Sequence, residues 1–387
     1  MKNLIIMNAM FFSRIILITL LWVTTTSCGN ANDDIEPLLD ISKKSISLPA
    51  EGGTTDITVT SNDHWSVNGV ASWLQLSKTS GNGGDIAIKL TAELNVTGST
   101  RSAILNISLN NGKILRTVYV SQVSKDVAVT PKDPNFYIFL CFGQSNMHGA
   151  APIESQDKVG NSRFKLLQPL DCPNLNRTKA TWYTAVAPTC QCGSGLSPAD
   201  YFGRTMVEKL PDNITVGIIN VSVAGCDIRL FDKDKYLDYD STSTDSWFTN
   251  QITGYNGSPY QYLIDLAKLA QKDGVIKGIL LHQGETNNGQ QQWPSYVKKI
   301  YGDMMTDLSL NANSVPLLAG ELFSGEKNCC SGMNPIIRTL PNVISTAHVI
   351  SSDGCTGQDS AHFDSNGYRE LGRRYGFEML RLLGVKL

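Results

Sequence analysis

Phe136-Tyr137-Ile138-Phe139-Leu140-Cys141-Phe142-Gly143-Gln144-Ser145-Asn146-Met147 is an apolar run that ends abruptly in small and polar residues. The part from Phe136 to Leu140, rich in aromatic and β-branched types and without polar alternation, predicts a strand buried on both faces. Gly143 gives the backbone a tight exit. Ser145 is therefore expected at the carboxyl end of a strand, the rim where open α/β sheets bind ligands. A serine presented there is a candidate nucleophile if a histidine is brought to it. Taken alone, the stretch is better read as an ordinary polar turn.

Beyond it the chain alternates between two periodicities. Strand signals recur at Val216 to Ser222, Gly278 to His282, Pro316 to Gly320 and Ala347 to Ser351, separated by helical stretches. The helices are expected over Pro198 to Leu210, Tyr260 to Gln271, Pro294 to Leu308 and Asn366 to Leu383. In the second, Leu263, Leu266, Ala267 and Ala270 recur at one-face spacing. Pro198 and Pro294 stand where helices begin. The pattern predicts a three-layer α/β domain around a parallel sheet, with the strand order unreadable.

Four short stretches each follow one of these strands. They are Gly143-Gln144-Ser145-Asn146, Val223-Ala224-Gly225, His282-Gln283-Gly284-Glu285 and Asp359-Ser360-Ala361-His362. In this order they resemble the conserved blocks of SGNH hydrolases. The Gln-Ser-Asn and His-Gln-Gly-Glu forms are most similar to the acetylxylan esterase and sialate O-acetylesterase branch. The resemblance runs from about Phe136 to the C-terminus and implies a flavodoxin-like sheet of about five strands. It also implies roles: Ser145 attacks an acyl carbon, His362 takes its proton, and Asp359 fixes the imidazole tautomer and stabilises its positive form. Residues three apart in a helical turn can meet, so Asp359 is expected to reach the His362 ring directly. The family's oxyanion donors map to the N–H of Ser145, the N–H of Gly225 and the side-chain amide of Gln283. Relatives usually show two glycines where this chain has Ala224-Gly225, which leaves open the N–H that points inward. Gln144, Asn146 and Glu285 are expected to orient these groups, and Asp364 or Ser365 to cap the last helix.

Other chemistries lose ground on composition. Lysines and arginines number 33 against 35 aspartates and glutamates, with no long run of either sign, so the footprint of a nucleic-acid binder is missing. No His-Glu-x-x-His, calcium loop or Gly-rich phosphate loop is present, and neither metal nor cofactor is called for. Position 147 is Met, where an α/β-hydrolase elbow needs glycine. His64, His348 and His282 read as structural, whereas His148 either lines the substrate site or caps a turn.

With 387 residues, two folded units are expected. From about 38 to 124 the texture is all-β, with short strands between Gly-, Asn- and Ser-rich turns and a hairpin signal at Asn110-Asn111-Gly112. Trp65-Ser66-Val67, Trp73-Leu74 and Val120-Ser121-Gln122 make this region similar to a BACON domain, a small sandwich proposed to bind carbohydrate or mucin. Trp65 and Trp73 read as core residues, with stacking on a sugar as the alternative. Residues 125 to 135, with Pro131 and Pro134, have linker composition.

Lys2 and Arg14 precede the apolar run Ile15 to Val23, and Ser27-Cys28 follows, a signal peptide too short for a membrane span. Ser27-Cys28 resembles a bacterial lipobox with Cys28 as the lipidated residue, and plain secretory cleavage is the competing reading. Asp33, Asp34 and Glu36 resemble an export tag of Gram-negative surface lipoproteins. Eight further cysteines in an exported chain favour disulfides, in on the order of a hundred pairings. Cys141 is expected to stay free, and Cys330 with Cys355 is one guess. The expectation is a lipid-anchored O-acetylesterase acting on an acetylated polysaccharide, acetylated xylan foremost. Sialic acid esters are the alternative within that chemistry, and a non-catalytic glycan-binding lipoprotein is the alternative outside it.

Overall fold

The computed structural model describes residues 36–95, 100–109, 114–124, 133–240 and 245–386. The signal segment with Cys28, the Asn110-Asn111-Gly112 turn and most of the 125–135 linker lie outside them. In the front region nine strands form two facing sheets. They are β1 (Leu39–Ile41), β2 (Ser45–Leu48), β3 (Gly53–Ser61), β4 (Trp65–Asn68), β5 (Leu74–Leu76), β6 (Ser80–Gly81), β7 (Gly84–Ala92), β8 (Arg101–Leu109) and β9 (Ile114–Gln122). One sheet runs β1-β3-β7-β5 and the other β2-β9-β8-β4-β6. Alternation puts Leu105, Ile107, Val118, Val120, Ile88 and Leu90 between them in one apolar core. Trp65 is wholly buried in it. Trp73 is half-buried, with the Arg101 guanidinium 4.7 Å above its ring, so neither offers an open stacking face.

The second region is built on seven strands: β10 (Phe136–Gly143), β11 (Phe164–Leu167), β12 (Trp182–Thr184), β13 (Thr215–Ser222), β14 (Val275–His282), β15 (Leu317–Gly320) and β16 (Ala347–Ile350). Their order is β12-β11-β13-β10-β14-β15-β16, parallel except for the antiparallel edge strand β12. The flavodoxin-like order implied by the family is therefore present in β13-β10-β14-β15-β16 and is extended on one side by β11 and β12. Those two strands are only four and three residues long, too short to give a periodic signal.

Strand β10 is the central strand, paired with β13 on one side and β14 on the other. Its residues divide by parity, as a strand's must. Ile138, Leu140 and Phe142 face one apolar cluster, and Phe139 and Cys141 face the other. Helices α2 (Pro198–Lys209) and α8 (Ser365–Leu382) cover the second face. Helices α5 (Pro259–Ala270) and α6 (Trp293–Asp307) cover the first. Among the described residues the shorter helices are α1 (Ser145–His148), α3 (Tyr236–Asp240), α4 (Ser246–Gly254) and α7 (Asn334–Ile337). Pro198 and Pro294 occupy first-turn positions, where the missing N–H costs nothing. No helix among the described residues is long and apolar enough to cross a membrane.

Cysteine pairing departs from the expectation. Cys329 bonds to its neighbour Cys330, and Cys172 bonds to Cys192. Cys355 is a free thiol packed in an apolar cluster, and Cys330 is already bonded to its neighbour, so the Cys330–Cys355 pairing is wrong. Cys141, Cys190 and Cys226 are also free and buried.

Candidate active site

Gly143 ends the central strand at φ +148°, and a Cβ there would collide with the carbonyl of His282. Only glycine lets the two strand ends approach so closely while the chain turns. Ser145 emerges two residues later in the short helix α1. Its Oγ lies 2.9 Å from His362 Nε2, and His362 Nδ1 lies 2.9 Å from Asp359 Oδ2. The N–H groups of Ala361 and His362 both donate to Asp359 Oδ1 at 2.8 Å. Partial burial pushes this carboxyl upward, but those N–H groups and the imidazole outweigh it and hold Asp359 below the ordinary carboxylate range. An ionised Asp359 selects the tautomer with Nδ1 protonated, which leaves Nε2 free to accept from Ser145.

The loop bearing His362 is anchored from beneath. Phe363 is fully buried and packs edge-on to His282 and Phe323, with Tyr368 tilted against it. Asp364 caps α8 by accepting from the N–H of Gly367 at 2.8 Å. Asn146, wholly buried beside the serine, ties three elements together. Its Nδ2 donates to Glu285 Oε1 at 2.5 Å and to the Ala361 carbonyl at 3.0 Å, and its Oδ1 accepts from Tyr368 at 2.6 Å. Gln144 Oε1 accepts from Gln283 Nε2 at 3.1 Å and from the N–H groups of Gly284 and Thr286 at 3.3 Å. The strand ends are thus joined by polar bonds that hold Ser145 and His362 in register.

Burial pushes the Glu285 carboxyl up to about 7, opposed by Asn146. Glu285 Oε2 and His282 Nδ1 have no partner among the described residues, and Glu285 Oε1 stands 3.9 Å from that nitrogen. Burial lowers His282 to about 4, and its Nε2 donates to the Glu321 carbonyl at 3.1 Å. It is a neutral scaffold residue. Burial pushes His148 down, a hydrogen bond with Gln191 opposing it in part, and His148 does not join the triad.

The three expected oxyanion donors are placed differently from one another. Among the described residues the N–H groups of Ser145 and Gly225 meet no protein acceptor. The Ala224 N–H is taken by Gln251 Oε1 at 2.9 Å and the Cys226 N–H by the Val223 carbonyl, so Gly225 supplies the open donor of that turn. Gln283 departs from the expectation. It is 1% exposed, and its Nε2 faces three acceptors: Gln144 Oε1 and the Cys226 carbonyl at 3.1 Å, and Asn287 Oδ1 at 2.5 Å. Trp293 Nε1 donates to its Oε1, which fixes the amide's orientation. With two hydrogens and three acceptors, no donor is left for a ligand. Gln283 instead holds Gln144 to the Gly225–Cys226 turn.

Sequence reading missed Asn287, Trp293 and Tyr368, all buried polar partners from outside the four blocks. Asp232, Asp234 and Asp303 converge closely enough for a cation, but Lys299 reaches all three at 2.8, 2.7 and 2.8 Å and supplies the positive charge itself.

Residues 135–381 match the family model described as carbohydrate esterase, sialic acid-specific acetylesterase. The chain belongs to that family. Residues 38–125 match the model of the viral BACON domain. Among solved structures, the esterase chain is similar to an Arabidopsis thaliana protein at 18% identity, covering 64% of this chain and 99% of that one, TM-score 0.48. It is also similar to a family two carbohydrate esterase from Cellvibrio japonicus at 11% identity, covering 88% and 90%, TM-score 0.36.

Proposed function

We propose that this carbohydrate esterase removes O-acetyl groups from polysaccharide, acetylated xylan foremost, through an acyl-serine intermediate. The observation that carries the reading is the unbroken chain from Ser145 Oγ through His362 to Asp359, each link 2.9 Å long. Ser145 Oγ attacks the acetyl carbonyl carbon as its proton passes to His362 Nε2. The carbonyl oxygen, now negative, takes hydrogen bonds from the N–H groups of Ser145 and Gly225, each worth about 3 kcal/mol in the transition state. Collapse breaks the bond to the sugar oxygen, which receives the proton from His362. Water then attacks the acetyl-serine with His362 again as base, releasing acetate and restoring the hydroxyl. Asp359 stays ionised and steadies the imidazolium in both halves. A binding protein has no use for such a nucleophile, which weighs against the non-catalytic alternative.

The family description favours a second substrate, O-acetylated sialic acid. Acetate release from acetylated xylan and from O-acetylated sialic acid, measured side by side, separates the two. Faster release from xylan supports the first reading; release from sialic acid alone replaces it with the second. We further propose, from the sequence of the first residues, that the protein is exported and anchored to a membrane through a lipid on Cys28.

A further inference from the structure

Trp247 stands in the first turn of α4 and is 54% exposed. Among the described residues it is the one open tryptophan: Trp65 and Trp293 are buried, and Trp73 and Trp182 are half-buried. A ring left in water forgoes stabilisation that burial would bring, so its setting calls for a reason. The indole lies directly against Gly225. A Cβ at position 225 would stand 2.9 Å from its Cη2. The ring is also braced edge-on by the buried Phe248, centroid to centroid 5.8 Å. Gln251 clamps the two segments together, accepting from the Ala224 N–H at 2.9 Å and donating to the Trp247 carbonyl at 3.4 Å. The indole is therefore positioned before any ligand arrives.

Its place relative to the reaction follows from topology. Ser145 lies two residues beyond the end of β10 and Gly225 three beyond the end of β13, and these strands are parallel neighbours with Gly143 opposite Ser222. Neighbouring strands are about 4.8 Å apart. A carbonyl oxygen held between the N–H groups of Ser145 and Gly225 therefore puts the alcohol side of the ester at the mouth that Trp247 borders. Resting on the esterase reading above, we propose that Trp247 is a sugar-binding platform, on which a pyranose ring of the acetylated chain stacks its C–H face. The electron-rich face of the indole attracts the weakly positive C–H groups, and a ring with two side-chain torsions loses little freedom on binding. A planar, braced ring also limits how the sugar turns toward Ser145, so it selects among acetyl positions.

The test uses the full chain with Trp247→Ala and Trp247→Phe, on acetylated xylo-oligosaccharides and on a small alkyl acetate that has no ring to stack. The ratio of kcat/KM on the oligosaccharide to that on the alkyl acetate should fall about tenfold in Trp247→Ala, through KM. In Trp247→Phe, which keeps an aromatic face, it should fall less than about threefold. Equal losses on both substrates would mean that the ring only props the Gly225 turn, and an unchanged ratio would mean that nothing stacks there. If the parent hydrolyses the alkyl acetate but no oligosaccharide, the xylan reading fails, and the platform is judged by binding. Ser145→Ala should then bind O-acetylated sialic acid, the pyranose of the second reading, more tightly than Ser145→Ala with Trp247→Ala, and indistinguishable or absent binding overturns the platform.

Discussion

Replacing Glu285 with glutamine should raise stability at alkaline pH and leave it unchanged in acid. The carboxyl is pushed up to about 7 by burial in the fold, against an ordinary value of 4.5. At low pH it is protonated whether the chain is folded or not, so it contributes no pH-dependent difference. As pH rises above the unfolded value, the unfolded chain releases this proton while the folded chain retains it. The fold therefore loses stability progressively from about pH 4.5 up to about 7, and the loss levels off above that. The gap corresponds to about 3 kcal/mol. Glutamine keeps an acceptor for Asn146 Nδ2 but has no proton to lose, so it avoids the loss. Asp265, raised to about 7 by burial, and Asp200, raised to about 6, titrate in both proteins and cancel in the comparison. Thermal unfolding of parent and Glu285→Gln should give matching midpoints near pH 4.5. By about pH 8 the variant should melt roughly 6 to 12 °C higher. A difference that does not change with pH, or a parent that is the more stable form in alkali, would refute the placement of a protonated carboxyl beneath the triad.

Two further outcomes follow from the site. Asp359→Asn should leave the circular dichroism spectrum intact yet lower kcat by about a thousandfold or more, because an amide no longer selects the tautomer with Nδ1 protonated; turnover within threefold of the parent would reassign the acid. Gly225→Ala places a side chain on a residue at φ +77° and drives it into Trp247; kcat should fall about a hundredfold as the N–H swings away, and an unchanged kcat would remove Gly225 from the oxyanion site.

What could be read from the chain was local. Phe136 to Phe142 declared a buried strand because a central parallel strand has no polar face, and small polar residues after each strand marked the rim where Ser145, Gly225 and Glu285 gather. Asp359 and His362 were legible as a pair because three residues of a tight turn suffice to join them. Relations across the fold were not. Gln283 looks like a donor in sequence, yet its hydrogens are claimed by Cys226, Asn287 and Gln144, which only folding brings near. The cysteines could not be paired, since the free Cys355 sits in an apolar layer while Cys329 closes on its neighbour. Trp247 carried no signal at all, because its meaning depends on Gly225, more than twenty residues away in sequence and brought against it only by folding.

The central claim is that Ser145 carries the acetyl group between the two half-reactions. It is tested most directly by quenching the enzyme in acid within milliseconds of mixing with an acetate ester and mapping the added acetyl by peptide mass spectrometry. The account predicts acetyl on the peptide holding Ser145 in the parent protein and none in Ser145→Ala, which should also release no acetate. Acetate release by Ser145→Ala at a rate near the parent's, or acetyl found on another residue, would contradict it.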